Sequence, residues 1–256
     1  MHRAAHTLRI AMSVLTGALL IWQLTLFATG SKFELANSWF NAGYATVFVA
    51  SALLGFIAHK RRYISGAQGR ALWLFSLGSL SFAIALYIWA YSGIMKGVAT
   101  PFPSSADIFF TIYTISVGVA CVAILELLGP TLTRKIIFQS ISIAAVTFIL
   151  VFTFFIIPSL RFTVDPIIRF FTIVYPVIAC ALMSLVMIAA RSSGGTSAKS
   201  LKLYFLSLGF LATALVLFLY RHNIGSYWNG DITDFFCLIS GYASSLAAIE
   251  LGWGEA

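Results

Sequence analysis

The chain has 256 residues, of which 60% are hydrophobic and only 9% are charged, and its formal net charge is +8. Ordinary soluble domains contain roughly a quarter charged residues, so this composition cannot cover a soluble globule with a hydrated surface. The basic residues are dispersed over short flanks of apolar runs rather than gathered in a patch, which argues against nucleic-acid binding. The composition therefore predicts a protein embedded in a lipid bilayer.

Eight apolar runs follow one another along the chain, and each is about as long as a helix that crosses a ~30 Å hydrocarbon core. They cover residues 9–29, 39–58, 71–94, 107–128, 136–157, 167–190, 201–221 and 232–251. The runs are continuously apolar rather than alternating as barrel strands would be, and lipid offers no partners for an open backbone. The sequence thus predicts an all-α polytopic membrane protein with eight transmembrane helices.

The Lys and Arg residues predict the orientation of these segments. If the N-terminus lies in the cytoplasm, eleven of the sixteen basic residues fall on the inner side and five on the outer side. By the positive-inside rule, both termini are expected in the cytoplasm, and the excess positive charge is expected to contact anionic lipid. Aromatic residues at segment ends, such as Trp39, Trp89, Tyr91 and Trp228 outside and Trp73 inside, are typical of interfacial belts.

The first segment has a second interpretation. Arg3 and Arg9 could form the basic region of a cleaved signal peptide, with residues 28–30 as its small-residue cleavage site. The apolar run is longer than the ~7 to 15 residues usual in such peptides, and the internal repeat described next requires this segment. We therefore expect it to be retained as a transmembrane helix.

The two halves of the sequence resemble each other. At an offset of 124 positions, the fourth and eighth segments each begin at an acid and end at an acid nineteen residues later. The matched residues include Asp107 and Asp231, Ser116 and Ser240, and Glu126 and Glu250. At another offset, Tyr44 and the apolar run after it resemble Tyr175 and the run after it. The pattern predicts two four-helix units, residues 1–130 and 131–256, which share one orientation because four is even.

The most specific local signal is a helix start just after residue 100. Pro101 and Pro103 favour an extended chain, and Ser104 is followed three residues later by Asp107, which is the spacing of a capping box. An acid in the first turn also faces the positive end of the helix dipole. Asp231 and the acid three residues after it repeat this arrangement in the eighth segment. These acids either cap helices at the outer interface or bind a ligand.

The motif Pro-Phe-Pro-Ser-Ser-Ala-Asp at residues 101–107 resembles the Pro-x-Pro-Ser-x-Ala-Asp signature of the multi-pass membrane sensor regions found ahead of bacterial diguanylate cyclases and histidine kinases. Val174-Tyr175-Pro176 resembles the Tyr-Pro of their central helix, and residues 230–248 resemble their last-helix pattern. The resemblance covers most of residues 70–250. It implies a membrane input module in the plasma (inner) membrane of a prokaryote, with a membrane or signalling protein as partner.

The sequence departs from that family pattern in two places. The Asp that often follows the Tyr-Pro is absent, because Val177, Ile178 and Ala179 occupy those positions, and any role that depends on it loses support. The chain also ends at Ala256 with no output domain after the eighth segment. The resemblance therefore implies an input module without its usual effector.

The sequence shows no pattern typical of a cofactor, a metal centre or a catalytic site. The lysines lie in loops or at segment ends, which argues against a retinal Schiff base, and the four histidines lie away from the depth that haem ligands need. The three cysteines have no metal-ligand spacing, and no glycine-rich phosphate loop is present. The Gly230-Asp231 pair lacks the neighbours of an aspartyl protease site. We expect no enzyme activity, cofactor or metal.

Polar residues are concentrated at the predicted outer ends of the segments. The candidate ligand-binding residues there are Asp107, Asp231, Asp234, Arg169, Arg221, His222 and Trp228. No ionisable residue lies near the predicted midplane, and Pro176 in the sixth segment is a candidate hinge. The leading hypothesis is a sensory or accessory module that binds a small or lipid-like ligand in an outward vestibule or an intramembrane cavity. The alternatives are a structural subunit of a larger membrane complex and a transporter of a neutral solute.

Overall fold

The computed structural model of the chain describes residues 2–32, 34–62, 64, 66–97, 102–128, 133–162, 165–192 and 198–253. This described part of the chain is helical and contains no strand, so the all-α prediction is confirmed. Its helices are α1 (His2–Thr29), α2 (Leu35–Arg62), α3 (Gly66–Lys96), α4 (Ala106–Leu128), α5 (Arg134–Phe162), α6 (Pro166–Ser192), α7 (Ala198–Asn223) and α8 (Ile232–Trp253). Within α5, residues Phe152–Ile156 form one π-helical turn.

Seven of these helices are long and apolar enough to cross a membrane, judged by length and composition. For α6, the described residues assessed in this way form a shorter apolar helix, Pro166–Leu182. The prediction of a multi-pass membrane protein is confirmed at this level. The helices also extend beyond the apolar runs, as α3 does on both sides of residues 71–94.

The helices run back and forth between two ends of one bundle. At one end, Glu250 of α8 accepts ion pairs from Arg9 of α1 and Lys199 of α7, at 2.7 and 2.8 Å. Arg70 of α3 and Glu126 of α4 form a similar pair at 2.7 Å. We call this the Glu250 end. These pairs join helices that start there to helices that finish there, as an up-and-down arrangement requires.

The opposite end is called the Asp231 end and contains the loop between α7 and α8. The Gln23 side chain of α1 donates hydrogen bonds to the carbonyls of Gly230 and Asp231, at 3.1 and 2.7 Å. Asn37 of α2 donates to the carbonyl of Asn229 at 2.8 Å. Both amide side chains are buried, so these bonds satisfy loop carbonyls that lipid could not satisfy. They attach the first two helices to the last loop.

The core lies where α2, α3, α4, α7 and α8 meet. α2 packs against α3 and α8, α4 packs against α3 and α6, and α1 lies against α2 and α8. The α2–α3 contact is close because small residues face each other, with Gly93 against Ser38 and Gly55 against Ser76. α5 is the least covered helix and exposes large apolar side chains such as Phe138. Such a surface suits lipid.

The aromatic residues near the helix ends do not form one class. Trp39, Tyr91 and Trp73 are exposed on the outside of the bundle, where an interfacial belt would lie. Trp89 and Trp228, which the sequence placed in the same belt, are buried inside. The sequence interpretation is therefore wrong for these two indoles, because a tryptophan at a segment end can face a neighbouring helix as well as the lipid.

The close α2–α3 contact generates a stability prediction. A Cβ atom added at Gly93 would lie 2.8 Å from the Cβ of Ser38 and would overlap its hydroxyl. We expect G93A to lower the free energy of unfolding by about 1–3 kcal/mol, because the two backbones must separate. The matched control is G118A in α4, where an added Cβ meets no atom within 4 Å and alanine favours the helix. Thermal unfolding in mild detergent measures both variants, and equal melting temperatures would contradict the close contact.

Candidate functional site

A cavity of about 90 Å³ lies inside the bundle near the Asp231 end. Its walls come from α2, α3, α4, α6, α7 and α8, and they are predominantly apolar and aromatic. The rings that line it include Phe82, Trp89, Phe110, Tyr113, Phe218 and Tyr227. Two carboxylates, Asp107 and Asp234, are part of the same lining. An apolar cavity with a few convergent polar groups is the usual form of a small-molecule site.

Asp107 lies in the first turn of α4 and is almost completely buried, with 6% of its surface exposed. Its Oδ2 accepts a hydrogen bond from the backbone N–H of Ser104 at 2.7 Å, while the Ser104 hydroxyl accepts one from the N–H of Ala106 at 3.2 Å. These bonds resemble a capping box, except that the Ser104 hydroxyl accepts the N–H two residues on instead of three. Its Oδ1 accepts a hydrogen bond from the hydroxyl of Tyr175 on α6 at 2.9 Å. The acid therefore caps its own helix and also binds another.

Asp234 lies in the first turn of α8 and is 2% exposed. Its Oδ2 accepts the backbone N–H of Gly230 at 2.5 Å. Its Oδ1 lies 3.3 Å from the hydroxyl of Tyr44 on α2 and 3.2 Å from that of Tyr227. Burial, with the nearby Asp234 charge, raises the pKa of the Tyr227 phenol well above its ordinary value, so this hydroxyl remains a donor. Asp234 thus joins α2, α8 and the loop before α8.

Asp231 is fully buried and forms an ion pair at this end. Its Oδ2 lies 2.6 Å from Nε of Arg221 at the end of α7, and its Oδ1 accepts the N–H of Thr233 at 2.7 Å. Burial raises the pKa of the Asp231 carboxyl above its ordinary value, while the Thr233 N–H and Arg221 act in the opposite direction. Arg221 also donates to the carbonyl of Ser226 at 3.0 Å, which fixes the guanidinium over the loop.

The structure brings together some of the predicted ligand-binding residues. Asp107 and Asp234 line the cavity, and the Arg221–Asp231 pair lies beside it. His222 packs against the rings of Phe102 and Phe218, with centroid distances of 5.1 and 5.5 Å, and these two rings also contact each other. It contributes to the aromatic packing around the cavity.

Two other predicted residues lie elsewhere. Arg169 is on an exposed part of α6, outside the cavity lining. Trp228 is buried and packs edge-on against Phe27 of α1 at 4.9 Å. It therefore helps to attach α1 to the loop before α8. Of the two kinds of site expected from the sequence, an outward vestibule and an intramembrane cavity, the described residues form a cavity between helices.

The two predicted prolines in the described part of the chain support the site indirectly. Pro103 precedes the capping box of α4, and Pro176 is buried within α6. Tyr175 and Ala179, which flank Pro176 on the same helix, both line the cavity. The bend-prone part of α6 is therefore a wall of the cavity. Pro101 lies outside the described residues.

Sequence reasoning missed the tyrosines that bind the buried acids. Tyr44 and Tyr175 were recognised as matching positions of the two halves, yet nothing in the sequence identified the acid that each one meets. Tyr227 was expected in the outer interfacial belt rather than beside a buried acid. A buried phenol needs a hydrogen-bond partner. A tyrosine within an apolar run could therefore have been paired with an acid that is predicted at the same depth in the membrane.

The chain matches no protein-family model, no curated protein and no solved structure. In the described residues, no group of three or more His, Cys, Asp or Glu side chains is placed to hold a metal ion. The three cysteines, on α4, α6 and α8, are buried and free. The site is therefore defined by its own geometry: an aromatic cavity with two carboxylates inside a helical membrane bundle.

The Arg221–Asp231 pair predicts a large stability effect. In R221Q, the fully buried Asp231 carboxylate loses its cation, so the free energy of unfolding should fall. We expect a fall of about 2–4 kcal/mol, somewhat less than for a fully buried pair, because Arg221 is itself partly exposed. The matched control is R161Q at the exposed end of α5, which should change little.

Chemical or thermal unfolding in detergent measures this effect. The double variant R221Q with Asp231→Asn should recover part of the loss, because it removes the uncompensated charge. If R221Q and R161Q were equally stable, the ion pair would not contribute as argued.

Proposed function

We propose that this chain is a non-catalytic sensory or accessory membrane module that binds a small or lipid-like ligand in the cavity near the Asp231 end. The observation that carries the proposal is the cavity of about 90 Å³, lined by rings and by two buried carboxylates. Occupancy is passed to a partner membrane or signalling protein through a rearrangement of the helices. The resemblance to bacterial multi-pass sensor regions agrees with this function.

The cavity lies between two four-helix units, residues 1–130 and 131–256, in our proposal. Two crossed hydrogen bonds support it: Tyr44 of the first unit binds Asp234 of the second, and Tyr175 of the second binds Asp107 of the first. Tyr44 and Tyr175 occupy matching positions of the two sequence halves. The sequence comparison matched Asp107 with Asp231. The acid that Tyr44 binds is instead Asp234, about one helical turn further along α8. A twofold axis along the membrane normal would produce such reciprocal bonds.

Ring contacts between α3 and α7 support the same symmetry. Phe75 stacks on Tyr204 at 4.4 Å, and Trp89 contacts Phe218 at 5.2 Å. The partners in both pairs are separated by the same number of residues, so each ring meets its own counterpart from the other half. Equivalent residues touch each other only near a symmetry axis. The cavity, which Trp89 and Phe218 line, therefore lies on the proposed axis.

α6 is the element most suited to transmit occupancy. It carries Pro176, which removes one backbone hydrogen bond from the helix, and the neighbouring Tyr175 and Ala179 face the cavity. A ligand that displaces the Tyr175 hydroxyl from Asp107 would release α6 from α4. Because α6 also packs on the lipid-exposed α5, this movement would reach the outer surface of the bundle, where a partner can bind.

We propose eight spans, with both termini in the cytoplasm of a prokaryote and the Glu250 end at the inner face. Basic residues support this orientation, because Arg9, Arg61, Arg70 and Lys199 all belong to the Glu250 end.

Reporter fusions test this orientation. Green fluorescent protein joined after residue 256 should fluoresce, because it folds only in the cytoplasm, whereas alkaline phosphatase at that position should be inactive. Alkaline phosphatase inserted in the loop between α7 and α8 should be active. The reverse pattern of activities would contradict the proposed orientation.

The alternative of a structural subunit is favoured by one feature, the exposed apolar surface of α5. Phe138, Ile149 and Phe154 are each more than 60% exposed on it. Lipid or a second protein could cover this surface. Purification in mild detergent distinguishes the two functions, since a structural subunit should retain a partner at fixed stoichiometry. A transporter of a neutral solute would instead give flux in proteoliposomes.

A larger side chain in the cavity wall should prevent the ligand from binding. Ala179 of α6 is buried in the cavity wall, whereas Ala181 of the same helix is exposed. Native mass spectrometry of the purified wild-type protein should show one retained small molecule per chain. A179F should lose that molecule, because the added ring occupies the cavity, and A181F should keep it.

The melting temperature in detergent shows that both variants fold. Retention of the molecule by A179F would place the ligand elsewhere and overturn the proposal. The proposal would also be overturned if the wild-type protein retained no molecule and A179F melted at the same temperature as the wild-type protein.

A further inference from the structure

The cavity presents two acidic side chains without a matching basic one. Asp107 and Asp234 line it, and among the residues that the structure describes no Lys, Arg or His belongs to the lining. Arg221 is paired with Asp231 at this end, so that cation is already used. His222 lies close enough to Asp107 to interact electrostatically, but it is packed against the rings of Phe102 and Phe218. A carboxylate in an apolar interior is stabilised by a nearby cation. Here the cavity is the space in which such a cation could bind.

The rest of the lining also favours a positive guest. Trp89 contacts Phe110, Phe218 and Tyr227, with ring centroids 5.6, 5.2 and 6.3 Å apart, so several ring systems converge on one small space. Aromatic faces attract cations through the ring quadrupole, and cages of such rings recognise quaternary and methylated ammonium groups. Apolar ligands would fill the same space, but they would leave the two carboxylates with hydrogen-bond donors alone and no cation.

A third observation at the same position is the hydroxyl of Thr233. Thr233 is 2% exposed and lines the cavity next to Asp234. Its Oγ1 lies near Asp231 but makes no hydrogen bond of normal length and angle. A buried hydroxyl whose contact with Asp231 falls short of a full hydrogen bond would gain from a better-placed partner in the cavity.

We infer that the cavity binds a small organic cation, a methylated or short alkyl ammonium group. The charge lies at the carboxylate end, beside Asp107 and Asp234, and the methyl groups contact Trp89 and Phe218. The volume of about 90 Å³ is smaller than the roughly 150 Å³ engineered cavity that takes benzene, which limits the occupant to a few carbon atoms. This inference rests on the proposed function, because it names the ligand class of the same cavity.

The test compares ligands of one size and different charge on the purified full chain in mild detergent. Trimethylammonium and tetramethylammonium are the cationic probes, and tert-butanol is the neutral probe of similar size and shape. Isothermal titration and the melting temperature report binding. We expect both cations to bind at least about tenfold more tightly than the alcohol, because bonds to charged groups add to the ring contacts.

Variants of the acids locate the charge. D107N and D234N keep a side chain able to cap a helix, so the fold is preserved, and each should weaken trimethylammonium binding by about tenfold. The matched control is D165N, because Asp165 is an exposed acid that caps α6 at the same end of the bundle. D165N should bind like the wild-type protein.

The outcomes separate this inference from the proposed function. If tert-butanol binds as tightly as the cations and A179F abolishes its binding, the cavity takes a neutral ligand; the cation inference is then wrong and the proposed function stands. If D165N loses as much affinity as D107N and D234N, the effect belongs to the surface charge and the inference is overturned. Binding of the cations to A179F at wild-type affinity would remove the cavity as the site and would overturn both.

Discussion

The burial of carboxylates in an apolar bundle is the constraint that organises the Asp231 end. A carboxylate removed from water needs donors or a cation, because its desolvation is otherwise too costly. Asp231 is stabilised by the guanidinium of Arg221. Asp107 and Asp234 each combine a backbone N–H from the turn before their helix with a phenol from a distant helix. The requirements of three side chains therefore determine where α2, α6 and α7 lie relative to α4 and α8.

The local and the distant donors have different effects. The N–H groups of Ser104 and Gly230 come from the chain next to each acid, and they determine where α4 and α8 begin. The phenols of Tyr44 and Tyr175 come from other helices, and they determine which helix is the neighbour. Since the apolar surfaces of membrane helices are interchangeable in lipid, hydrogen bonds of this kind supply specificity that side-chain hydrophobicity cannot supply.

This distinction explains how much of the molecule the sequence could predict. The helices, and the start of α4 at its capping box, depend on contiguous residues and were predicted from them. The partners of Asp107 and Asp234 lie 68 and 190 residues away, and a sequence without regular polar faces does not indicate which side of a helix points inward. The burial of Trp89 was missed for the same reason. Sequence reasoning located the polar end of the bundle but placed its acids at a wet interface rather than inside.

The cavity follows from a difference in side-chain size between neighbouring helix pairs. Where α2 meets α3, glycine and serine allow the backbones to approach closely, and no space remains. Where α3 faces α7, the rings of Phe75, Trp89, Tyr204 and Phe218 hold the helices apart. Stacked rings fill this gap at Phe75 and Tyr204, but toward the Asp231 end they only surround it. The same rings that prevent collapse thus form the walls of the site, and the carboxylates of α4 and α8 give the enclosed space its polarity.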